Sequence, residues 1–152
     1  MDQIDYKILS MLQDNARISN SEIARKIGMV PSGIIERIRK LEENGHIQEY
    51  TARLRAESLN FGLLAFIFVR TSERAGNCDT ACELSKLPEI LEIHHVAGED
   101  CYLIKTRQAD TQSLAKFMRE KIGSLPTVTS SRTVIVLETI KESSKLHLPN
   151  NI

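Results

Sequence analysis

A chain of 152 residues with 41% hydrophobic and 26% charged side chains has the balance of a soluble globular protein, with room for one domain or two small ones. Lys+Arg and Asp+Glu both number 20, which excludes a global electrostatic pull toward nucleic acid. Three cysteines exclude a disulfide framework, and the longest apolar run, residues 63–69, is too short to span a bilayer; without a secretory leader pattern, a reducing cytoplasm and no membrane partner are expected.

Ile4, Ile8, Met11 and Leu12 set an apolar stripe on a first helix over residues 2–15, and Ile18 packs where it meets the second. Ser19-Asn20-Ser21-Glu22 has the Ser-x-x-Glu spacing of a capping box. Ile23 and Ile27 recur at i and i+4, and Gly28 can take the left-handed conformation that stops a helix. Met29 and Val30 make a turn, Pro31 pre-sets the first position of a third helix, and Gly45 stops it. Ile34, Ile38 and Leu41 share one face of that helix, leaving Ser32, Gly33, Glu36, Arg37, Lys40 and Asn44 outside. Small residues at the N-terminus with Arg and Lys one and two turns later suit a helix entering a DNA major groove. An ordinary helical hairpin with a solvated charged face has the same spacing. The first 60 residues hold nine basic and nine acidic side chains, so DNA affinity must come from local placement and from several copies acting together.

Residues 46–54 alternate enough to predict an extended strand, one side of a wing, with Arg53 and Arg55 near phosphate. Residues 56–62 form the boundary at which the period changes from 3.6 to 2. Strands are predicted over 63–71, 90–97, 101–107 and 128–140, with helices opened by Asn77 or Asp79 and by Asp110. Cys78 and Cys82, four apart and without zinc-site spacing, read as small apolar residues on the first of these helices. Strand-helix-strand-strand-helix-strand is the ferredoxin-like pattern, giving an α+β chain divided as 1–50, 51–62, 63–142 and a tail of 143–152. In this fold both helices cover one sheet face. Leu63, Ala65, Ile67 and Val69 oppose Leu64, Phe66 and Phe68, and both sets are apolar; the last strand repeats this with Val134 and Val136 opposite Ile135 and Leu137. A helix-free face carrying Leu64, Phe66, Phe68, Ile135 and Leu137 predicts a homodimer packed sheet to sheet.

Several stretches carry a resemblance: Asn15-Ala16-Arg17-Ile18-Ser19, Glu36-Arg37-Ile38-Arg39-Lys40-Leu41-Glu42, Val96-Ala97-Gly98-Glu99-Asp100-Cys101-Tyr102-Leu103-Ile104-Lys105 and Ser124-Leu125-Pro126-Thr127-Val128. In this order the chain resembles the leucine-responsive regulator (Lrp/AsnC, feast/famine) family over nearly its whole length. The resemblance implies a winged helix-turn-helix domain before a ferredoxin-like βαββαβ (RAM-type) domain. It implies a transcriptional regulator of double-stranded, pseudo-palindromic DNA, whose dimers assemble to tetramers or octamers and respond to a small molecule, an amino acid or related metabolite, bound at contacts between dimers where the βαββαβ domains meet. The DNA-contacting set is then Ser19, Asn20, Ser32, Gly33, Glu36, Arg37, Arg39, Lys40 and Arg53. The effector set is Gly98, Glu99, Asp100, Cys101, Tyr102, Val134, Ile135 and Val136.

Two residues depart from the family pattern. Val30 stands where a Ser or Thr usually caps the recognition helix, and Cys101 stands where an Asp usually precedes the Tyr. A thiol is a poor acceptor for an ammonium group, so the turn is expected to grip an α-amino group weakly. Siroheme decarboxylases look like the same architecture, which makes an enzyme the alternative, with His94 and His95 its adjacent imidazoles. The chain has no Trp and only 5% aromatic residues, and no catalytic Ser/His/Asp set or phosphate loop, so no enzyme activity, cofactor or metal is expected.

Overall fold

The computed structural model describes residues 1–74 and 77–148, so the last four residues of the expected tail lie outside the described residues. The chain forms two compact units, one of Met1–Arg53 with the segment from Lys141, the other of Leu54–Ile140.

In the first unit, α1 (Gln3–Asp14), α2 (Asn20–Ile27) and α3 (Pro31–Glu43) close around Ile8, Ile23, Ala24, Ile34 and Leu41. The full capping box belongs to α1: the Asp2 carboxylate accepts from the Asp5 N–H, and the Asp5 carboxylate accepts from the Asp2 N–H, both at 2.9 Å. At α2 only half a box forms. Ser19 Oγ accepts from the Glu22 N–H at 3.2 Å, while the Glu22 carboxylate pairs at 3.0 Å with Lys26 one turn later. Gly28 and Gly45 hold φ of +82° and +70° as read from sequence, and His46 N–H returns to the Leu41 carbonyl to close α3. Val30 caps nothing with its side chain, and Pro31 follows it at the first helical position.

No strand forms over residues 46–54. Their alternation has no neighbouring strand to bond, and side chains anchor the segment instead. Tyr50 Oη donates to Glu42 at 2.9 Å, and part-burial followed by this bond pushes the phenol up to about 12. Arg53 donates to the Glu142 carbonyl at 2.7 Å and to its carboxylate at 3.2 Å. The tail then lies along α1, where the Gln13 amide bonds both the N–H and the carbonyl of Leu146 and Lys145 meets Asp14.

In the second unit, β1 (Leu63–Thr71), α4 (Asp79–Ser85), β2 (Ile90–His95), β3 (Tyr102–Gln108), α5 (Thr111–Phe117) and β4 (Val128–Ile135) build an antiparallel sheet in the order β2-β3-β1-β4. A π-helical turn, Met118–Ile122, extends α5. Both helices cover the face bearing Ala65, Ile67, Val69, Tyr102 and Ile104 through Leu84, Leu114, Phe117 and Ile122.

The open face needs three corrections. Phe66 pairs with Val134 and Phe68 with Arg132, so Val134 is the β4 residue beside the phenylalanines, whereas Ile135 pairs with Ala65 on the helix side. The side-chain period of two makes a one-residue register difference swap faces, and apolar identity alone did not fix that register. Leu64 is already buried within the chain. Leu137 falls beyond β4, which stops at Ile135, and is 99% exposed. Phe68 is partly covered by the Arg132 guanidinium, 4.1 Å above its ring, and Lys105 and Arg107 of β3 share this face with Leu103.

Candidate functional site

The exposed side of α3 carries Ser32, Ile35, Glu36, Arg39 and Lys40. Glu36 sits at the centre of its charges. Arg39 grips both Glu36 oxygens at 2.7 and 3.1 Å and also reaches Glu43; Lys40 approaches Glu36 at 3.4 Å. These contacts hold the Glu36 carboxyl below its usual range, Arg39 first, and raise the Arg39 guanidinium. All four groups are solvent-exposed, so each pair is weak and an incoming phosphate can replace it at small cost. Gly33 is half-buried, and a Cβ there would stand 3.2 Å from the Met29 methyl, a flexible tip that can shift aside. Ser19 and Asn20 stand exposed at the start of α2, where backbone N–H groups face outward.

Two expected DNA contacts are otherwise engaged. Arg37 Nη1 is bound by Asp5 at 2.7 Å and by Asp2 at 2.8 Å, with its side chain 29% exposed and that of Asp5 14%. Asp5, then Asp2, raises the guanidinium, and the Asp5 N–H, followed by Arg37 itself, holds the Asp2 carboxyl below its usual value. Arg53 is committed to Glu142. Helical spacing put Arg37 outside; the carboxylates that claim it lie 32 and 35 positions earlier, beyond the reach of a periodicity reading. The expectation passed over Lys7, Arg17 and Arg25, which are exposed and have no carboxylate within ion-pair distance among the described residues.

In the second unit the Gly98 turn requires glycine, with φ +126°. It ends with Cys101 donating its N–H to the Val69 carbonyl and accepting from the Val96 N–H. Neither acid of the turn is free: Glu99 pairs with Arg70 at 2.8 Å and Asp100 with Arg132 at 3.4 Å. Cys101 is half-buried, and Tyr102 turns onto the helix side, buried, with its hydroxyl donating to the Asn77 carbonyl at 3.5 Å. Val134, Ile135 and Val136 are not brought to this turn within one chain. Val136 N–H bonds Leu64, five positions from Val69 along β1, which is about 16 Å at the strand rise. His94 and His95 are exposed on the edge strand β2; His94 meets Glu92 at 3.3 Å and His95 lies against the Tyr102 ring.

Comparison with known proteins bears on both units. Residues 1–48 match the winged helix-turn-helix DNA-binding family model, and residues 64–146 match that of the Lrp/AsnC ligand binding domain. The chain belongs to the Lrp/AsnC family. It is 39% identical over 150 residues to the leucine-responsive regulatory protein of Escherichia coli K12, covering 96% of this chain and 90% of that one. The Salmonella typhimurium counterpart is 38% identical over 148 residues with the same coverage. Among solved structures, a transcriptional regulator of Neisseria meningitidis in complex with L-Met superposes with a TM-score of 0.89 at 32% identity, covering 97% of this chain and 96% of that one. The Mycobacterium tuberculosis leucine response regulatory protein superposes at 0.86 with 29% identity, covering 98% and 100%.

The chain is therefore an Lrp/AsnC-type DNA-binding transcriptional regulator with a ligand-binding domain. These family matches give no support to the siroheme-decarboxylase alternative. As a family member it places its α3 arginines in two kinds of surroundings, and Arg37 is the one whose loss should be felt in stability. Arg37→Ala leaves a part-buried Asp5 without its cation and should cost about 1–3 kcal/mol, read as a lower melting temperature. Because the Asp2 carboxyl is depressed on folding, its share of the stability is fully present above the ordinary value of 3.8 and is lost as pH falls through the depressed value. The wild-type minus Arg37→Ala difference in melting temperature should therefore hold at neutral pH and shrink only below about pH 4.

Proposed function

We propose that α3 reads DNA through Ser32, Arg39 and Lys40, with Glu36 holding the two cations in the absence of DNA, Ser19 and Asn20 at the start of α2 on the phosphates, and Arg37 as the clasp that aims the helix. The observation that supports this division is the difference in partners. Arg37 is held by two carboxylates of another helix, whereas Arg39 and Lys40 are held only by exposed neighbours on their own. Glu36 then acts as a brake on non-specific affinity. Removing its charge in Glu36→Gln should tighten binding to arbitrary duplex about 3-fold, the scale of one exposed ion pair. A gel-shift titration on unrelated DNA measures this. Unchanged non-specific affinity, with preference lost at a single base pair, would make Glu36 a direct base reader instead.

Phe66, Phe68, Leu103 and Val134 form an apolar centre on the open sheet face, framed by Lys105, Arg107 and Arg132. A second copy packed on this face makes a dimer, which brings two α3 helices to half-sites of a pseudo-palindrome and supplies the avidity that a charge-neutral chain lacks. Tetramers or octamers of such dimers extend the same logic. Sedimentation at micromolar concentration should find no well-folded monomer.

The ligand is an amino acid held at residues 98–102. The Neisseria meningitidis relative was solved with L-Met, and here the turn offers complementary charges of both signs, Glu99 with Arg70 and Asp100 with Arg132. A zwitterion can exchange into such pairs, ammonium to carboxylate and carboxylate to guanidinium. It must first break them, and Cys101 adds no acceptor for the ammonium. Calorimetric titration with the common amino acids should show nothing tighter than about 1 mM, equivalent to roughly −4 kcal/mol, and Cys101→Asp should tighten at least one. Micromolar binding indifferent to Glu99, Asp100 and Cys101 would place the site elsewhere.

A further inference from the structure

Two thiols that sequence spacing offers as helix filler stand in solvent and against each other. Cys78 is the N-cap residue of α4 and Cys82 closes its first turn; both are exposed, and their Sγ atoms are 3.6 Å apart. Neither is needed to cap the helix. Cys78 makes no side-chain cap bond, and the Glu73 carboxylate accepts from the Thr80 N–H at 2.7 Å in its place. Contact with Cys82, aided by burial and by Asp79 and Glu73, lifts the Cys78 thiol above its ordinary value.

We propose that Cys78 and Cys82 form a reversible dithiol–disulfide site, oxidised by a low-molecular-weight disulfide of the glutathione type. One cysteine, as thiolate, attacks a sulfur of the small disulfide, expelling one small thiolate and leaving a mixed disulfide. The other cysteine attacks the protein sulfur of that bond and expels the second small thiolate. The protein loses two protons and two electrons, the oxidant gains them as two thiols, and the reverse sequence restores the pair.

Geometry favours the intramolecular second step. Residues four apart on a helix have Cα atoms about 6 Å apart, inside the roughly 4.4–6.8 Å span of disulfides. The sulfurs must close by about 1.5 Å to bonding distance. Cys78 lies outside the helix with φ −134° and ψ 22°, so it can swing while the Cys82 N–H bond to its carbonyl persists. The site also reaches the ligand turn. Asn77, Cys78, Ala81, Ile93, His95 and Tyr102 line one small cavity, and the Tyr102 hydroxyl is bonded to the Asn77 carbonyl. Bridging Cys78 shifts the residue beside that bond, which makes the start of β3 the first place to register oxidation.

The test uses the full-length protein equilibrated in glutathione buffers of increasing oxidised fraction, quenched with acid, alkylated after denaturation and read by intact mass and peptide mapping. Alkylatable thiols should fall from three to one, with Cys101 the one remaining and the bridge mapped to Cys78–Cys82, and reduced glutathione should reverse the change. Cys78→Ser and Cys82→Ser should each stop at one glutathione adduct. Three alkylatable thiols across the whole series, a bridge that includes Cys101, links only between chains, or loss of two thiols persisting in Cys78→Ser would each overturn the proposal.

Discussion

The clasp between Arg37 and the two aspartates at the start of α1 ties that turn to the middle of α3. Asp2 and Asp5 satisfy each other's backbone N–H groups, which sets the first turn of α1, and their remaining oxygens converge on one guanidinium from the middle of α3. Apolar contacts among Ile8, Ile23 and Ile34 hold the three helices together but are non-directional. One guanidinium nitrogen, Nη1, donating to two carboxylates has direction, and so it constrains the rotation of α3 about its own axis. Which side chains of α3 face outward follows from that rotation.

Charge balance explains how a neutral chain serves as a DNA-binding regulator. Each cation on the outward side of α3 carries an anionic neighbour, Glu36 or Glu43, on the same helix. Under the proposed function, such pairs suppress affinity for arbitrary phosphate while yielding readily to a groove that offers both phosphate and the right base edges. The Gly98 turn repeats the device, with Arg70 and Arg132 occupied by Glu99 and Asp100. In both places the resting state is an exposed ion pair, and under the proposed function binding is an exchange of partners.

Local signals carried most of the fold and less of the sites. Gly28, Gly45, Pro31 and the strand-helix order were legible because each acts within a few residues of chain. What was hidden depended on contacts distant in sequence. The register that puts Val134 rather than Ile135 beside Phe66, the capture of Arg37 by Asp2 and Asp5, and that of Arg53 by Glu142 all involve partners more than 30 positions away. The Glu73 cap on α4 is hidden for a related reason, since sequence reading looks for the cap at the helix start and the structure supplies it from the preceding loop. The wing strand failed because alternation shows which faces a strand would have, but not whether another strand lies alongside to bond it.

The most direct measurement is the salt dependence of specific DNA binding for three variants side by side. The slope of log affinity against log salt falls by about 0.9 for each phosphate that the protein no longer neutralises. With Arg37 as clasp and the outer charges as readers, Arg39→Ala and Lys40→Ala should flatten the slope by about one phosphate each or relax preference at a base pair, while Arg37→Ala keeps the wild-type slope. A flattened slope for Arg37→Ala beside unchanged slopes and preferences for the other two would contradict the clasp and make Arg37 the reader.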